Sequence, residues 1–64
     1  MTLTEIKTAI NEGKIVYHQN SNYQAIKDGI GQYLIVCQSN KYCIGLFWQD
    51  GETLNGKEAD FFLQ

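Results

Sequence analysis

The stretch YLIVCQSNKYCIGLFW, residues 33–48, limits the possible folds of this chain more than any other. Lys41 is its one charged residue, and it carries both cysteines and the single tryptophan. SNK at 39–41 is a turn cluster, so the stretch reads as two β-strands, 31–38 and 42–49, folded back on each other. Side chains alternate faces along a strand. Leu34 and Val36 therefore share one face, and Tyr33, Ile35 and Cys37 the other. In the next strand Ile44, Leu46 and Trp48 oppose Cys43, Gly45 and Phe47. A strand apolar on both faces is normally covered on both. The nature of the two covers then bears on fold and function together.

One cover is legible. Leu3, Ile6, Ala9 and Ile10 recur at helical spacing, with Glu5, Thr8, Asn11 and Glu12 mostly on the opposite side. Thr2 and Glu5 have capping-box spacing, with Thr4 as an alternative cap, and Gly13 stands where a glycine ends a helix. A helix over 3–12 is about 15 Å long and needs a surface to pack on. Beyond it, IVYHQ (15–19) and NYQAIKDG (22–29) read as strands around the turn cluster NSN (20–22). Asp28-Gly29 and Asp50-Gly51 read as two-residue hairpin turns. ETL (52–54) follows as a short returning strand or extended loop. In NGKEADFFLQ, Asn55 and Glu58 allow a short capped helix, whereas Asn55-Gly56 allows a turn with ADFFL returning as an edge strand. The run Phe61-Phe62-Leu63 favours the extended form. The expected fold is α+β: one domain over 1–64, an N-terminal helix on a four- or five-stranded antiparallel meander, and a tail forming an edge strand or short helix.

The second face would then be covered by the tail, by another copy of the chain or by a target. A 64-residue domain leaves roughly 40% of its unfolded-chain surface exposed, so a second subunit is a common reinforcement. Net charge is −2 at a pI near 5.0, and the five lysines are dispersed with no arginine among them. Phosphate binding needs clustered cations, so nucleic acid is an unfavoured partner. No stretch has the length of a membrane span and the first residues lack a signal-peptide pattern, so the expected location is cytoplasmic, with reduced thiols.

Chemistry is sparse. Cys37 and Cys43 are spaced C-x5-C, which matches neither a zinc nor a redox pair. A three-residue hairpin loop would place them opposite each other. His18 adds at most a third ligand, and Cys37, His18 and Asp28 form a catalytic triad only on paper. Gly45 within a strand marks a bulge or room for a large neighbour. "DGETLNGKEAD" lacks the oxygen density of a calcium loop, and no glycine-rich phosphate loop is present. No cofactor is expected.

The reading that follows is a non-enzymatic protein–protein interaction module, of the kind found among bacterial or phage accessory and inhibitor proteins. It would act through an apolar-aromatic sheet face and an acidic edge. The partner would be another protein, a second copy of the chain included. Tyr23, Tyr33, Tyr42 and Trp48 are the aromatic candidates for its surface. Asp50, Glu52, Glu58 and Asp60 are the acidic ones. The competing readings are a sheet that stacks single-stranded bases, and a metal or thiol site at Cys37, Cys43 and His18.

Overall fold

The computed structural model describes residues 1–64. Its elements are helix α1 (Leu3–Asn11), strands β1 (Val16–His18), β2 (Asn20–Lys27), β3 (Tyr33–Cys37) and β4 (Cys43–Gly45), a 3-10 turn over Glu58–Asp60, and strand β5 (Phe61–Leu63). The expected α+β architecture is present: the helix packs on one antiparallel sheet in the order β4-β3-β2-β1-β5. No helix is long and apolar enough to cross a membrane.

The helix ends as its sequence predicts. Thr2 Oγ1 accepts from the Glu5 amide at 3.1 Å, and Glu5 Oε1 accepts from the Thr2 amide at 2.8 Å. Those bonds hold the Glu5 carboxyl below its ordinary range, the Thr2 backbone bond contributing most. At the other end the Lys14 amide reaches the Ala9 carbonyl and the Gly13 amide the Ile10 carbonyl, both at 3.0 Å. This is a Schellman closure.

Several strand boundaries differ from the sequence reading. NSN is not a turn: Asn20–Asn22 belong to β2, and the chain reverses at Gln19, held at φ 66°. Asp28-Gly29 is not a two-residue hairpin either. Asp28 Oδ1 gathers the amides of Ile30 (3.0 Å) and Gln32 (2.8 Å), which lengthens the loop. The left-handed residue there is Gly31, at φ 90°, a conformation glycine adopts without a Cβ penalty.

The fourth strand is three residues, not eight, because the chain folds back after Gly45. A Cβ on Gly45 would stand 3.4 Å from the Phe47 carbonyl oxygen. Leu46, Phe47 and Trp48 enter a small second hairpin closed by the Phe47–Leu54 bridge and the Trp48 amide to Thr53 carbonyl bond of 2.8 Å. The segment 46–60 then crosses the helix side of the sheet and delivers β5 to the far edge, beside β1. The tail is thus both a short 3-10 turn and an edge strand.

The core is Ile6, Ala9, Val16, Ala25, Ile35, Leu46 and Phe61. Val16, Ala25 and Ile35 pair across β1, β2 and β3. Alternation puts Phe61 on the same side of β5, and α1 contributes Ile6 and Ala9. Ile6, Val16 and Leu46 have no exposed surface, and burying each is worth about 1.5–3 kcal/mol. All seven lie between the sheet and its helix-side cover. None lies on the opposite face.

Candidate functional site

The opposite face is formed by the alternate residues of the same strands. Ladder register places Tyr17, Gln24, Val36 and Cys43 in one row across β1 to β4, Ile26, Leu34 and Gly45 in the next, and Phe62 beside Tyr17 on β5. Tyr17 and Phe62 touch at a ring-centroid distance of 5.7 Å. Gln38 Nε2 donates to Gln24 Oε1 at 2.6 Å, so the two amides on this face are tied to each other. Tyr17, Ile26, Leu34 and Val36 are half-buried, and Phe62 is 41% exposed. No segment of the chain lies over them. No strand residue projecting from this face is charged.

The cause is local. In β3, Tyr33, Ile35 and Cys37 point to the helix side, so Leu34 and Val36 must point away. The two-sided apolarity of this strand is therefore real. The fourth strand adds only Cys43 and Gly45 to this face, because Ile44 and Leu46 project to the helix side.

The sequence-derived aromatic candidates divide. Tyr33 is engaged internally: its hydroxyl meets Asn11 at 3.0 Å, and the ammonium groups of Lys7 and Lys27 lie 5.4 and 5.7 Å from its ring centroid. Tyr23 is half-buried against the core and edge-on to His18. Tyr42 and Trp48 are 67% and 61% exposed, on the β3–β4 turn and the second hairpin. Neither lies in the strands of the open face. The sequence-derived site candidates did not include Tyr17, Ile26, Leu34, Val36 or Phe62, although Leu34 and Val36 were already placed together on one face of the third strand. The signal for them was the alternation itself, once the helix is assigned to Ile35.

The acidic candidates all belong to the crossover. Asp50 shapes its own turn: Oδ2 accepts from the Thr53 hydroxyl at 2.6 Å, and Oδ1 from the Thr53 and Glu52 amides at 2.9 Å. The Thr53 hydroxyl is the largest cause holding this carboxyl below the usual range. Glu52 and Glu58 are exposed, whereas Asp60 is half-buried near His18.

The thiols are not brought together. The hairpin loop is four residues, Gln38–Lys41, with Lys41 at φ 62°, so Cys37 faces Tyr42 and Cys43 pairs with Val36. Cys37 lies on the helix side and Cys43 on the open side, both as free thiols. No three of the His, Cys, Asp and Glu side chains converge as a metal site would require.

His18 lines a cleft of about 300 Å³ with Gln19, Tyr23, Ile35, Cys37, Tyr42 and Ile44. Its ring stacks on Phe61 at 4.4 Å. Its Nε2 is buried without a hydrogen-bond partner, beneath Gly56. Burial holds its pKa below the ordinary value, opposed by the charge of Asp60. The arrangement is a packed neutral imidazole with no acid–base partner in hydrogen-bond reach.

No family model, curated protein or solved structure matches this chain.

Proposed function

We propose that the chain is a small non-enzymatic module that binds another protein through its open sheet face, the acidic crossover lying on the opposite side of the sheet. The observation that carries this reading is the uncovered, charge-free apolar face formed by Tyr17, Ile26, Leu34, Val36 and Phe62. An antiparallel sheet facing water normally alternates apolar-in with polar-out. Here the outward set is mostly apolar, interrupted by the Gln24 and Gln38 amides, a composition suited to the core of a binding patch. Base stacking is less well supported, since no lysine projects from the strands of this face to meet phosphate. Two free thiols on opposite faces suit a reducing compartment such as the cytoplasm.

Affinity capture from the native host tests the reading. Immobilised wild-type chain should retain a protein that Val36→Glu loses, while His18→Phe, on the other side of the sheet, retains it. A folded Val36→Glu variant that captures the same protein equally well contradicts it.

A further inference from the structure

The open face is thick on one side and thin on the other. Across the sheet, β5 and β1 present the touching rings of Phe62 and Tyr17. At the opposite edge β4 presents Cys43 and Gly45, a small side chain and none. Between them run Gln24, Ile26, Leu34 and Val36. Resting on the reading above, we propose that the protein covering this face is a second copy of the chain, packed sheet on sheet about a two-fold axis parallel to the strands, with Phe62 of each copy over Cys43 and Gly45 of the other.

Three observations support this partner and this axis. The first is charge. A two-fold interface sets each patch against itself, so like charges would meet; this face has none on its strands, and the carboxylates of Asp50, Glu52, Glu58 and Asp60 lie in the segment crossing the other side. The second is area. One side of a body measuring 28 × 22 × 21 Å holds about one-sixth of its 4234 Å² surface, so two copies would bury about 1,400 Å² in all, within the range of stable specific complexes.

The third is shape. An axis along the strands exchanges the two edges of the sheet, so the thick edge of one copy meets the thin edge of the other and the layers interdigitate large against small. An axis perpendicular to the strands, in the plane of the interface, would set Phe62 and Tyr17 over their own counterparts and leave a gap between the two β4 strands. The amides of Gln24 and Gln38 are joined within one copy by one hydrogen bond.

Crosslinking tests the arrangement. In Phe62→Cys, a short bismaleimide should join position 62 of one copy to native Cys43 of the other and give a covalent dimer at micromolar protein. Adding Cys43→Ser should reduce its yield at least tenfold. A covalent dimer that persists in Phe62→Cys/Cys43→Ser with Cys37 also replaced by serine places β5 over β5 and overturns the axis. Because Phe62→Cys removes part of the interface, wild-type protein supplies a second readout. Isotope-filtered spectra of a mixed labelled and unlabelled sample should contain intermolecular contacts from the Phe62 ring to Cys43 and Gly45. A wild-type protein that stays monomeric at every concentration overturns the second copy as partner. The broader protein-binding reading then stands or falls separately, on whether host capture is lost in Val36→Glu.

Discussion

His18 joins local geometry to a solution property. Its ring is wedged between Phe61 and Gly56, where a Cβ on Gly56 would approach Nε2 to 2.9 Å. Gly56 also holds φ 143°, so two constraints exclude a side chain there. Because burial lowers the native pKa of His18, the unfolded chain binds its proton more readily than the native chain does. Stability is therefore complete above the unfolded value near 6.5 and falls as pH drops through it, levelling off below the native pKa. Thermal melts at pH 7.5 and 5.5 should show a lower midpoint at 5.5. His18→Phe should flatten the difference between them. Asp60→Asn should enlarge it, since the Asp60 charge favours the protonated ring. A wild-type midpoint that does not fall between these values would contradict the buried, unpartnered imidazole. Residue type was a weaker guide at this scale: the Tyr33 ring and hydroxyl are engaged by Lys7, Lys27 and Asn11, a set of contacts with no local signature.

Among the elements, the helix was the most legible because both its ends are written within a few residues. The capping box at Thr2 and Glu5 and the closure at Gly13 need no distant contact. Thr2→Ala should cost about 0.5–2 kcal/mol in chemical denaturation, with the helix still formed in the native state. The third strand and its two apolar faces were legible for the same reason, since alternation is local. The fourth strand was not. Ile44 to Trp48 reads as one apolar run, and no local pattern reveals that the regular ladder ends after Gly45 and that Phe47 pairs with Leu54 instead. The far-edge placement of β5 was equally hidden, because it depends on a segment crossing the sheet. Leu46 anchors that crossing, so Leu46→Ala should cost about 2–5 kcal/mol. Against roughly 3–10 kcal/mol for a domain of this length, that leaves little folded protein at the upper end. A loss below 1 kcal/mol in a denaturant titration would contradict the anchoring role.

The whole molecule has one well-made layer and one unfinished one. The helix and the crossover share a single side of the sheet, and all seven buried residues lie there. A chain this small has a marginal core, and covering the second face adds apolar burial that its own length does not supply. The proposed binding surface is therefore the open face, and the proposed two-fold pairing rests on its thin and thick edges. What sequence could supply was the demand for a second cover; which residues make that demand became clear only once the helix and the crossover had taken the same side.

Analytical ultracentrifugation from low micromolar to several hundred micromolar protein is the most direct test. Wild-type chain should sediment as a species of 7.3 kDa when dilute and move toward twice that mass as concentration rises, while Leu34→Lys should remain monomeric throughout. Wild-type and Leu34→Lys profiles that coincide at the monomer mass over the whole range would contradict a second copy on the open face.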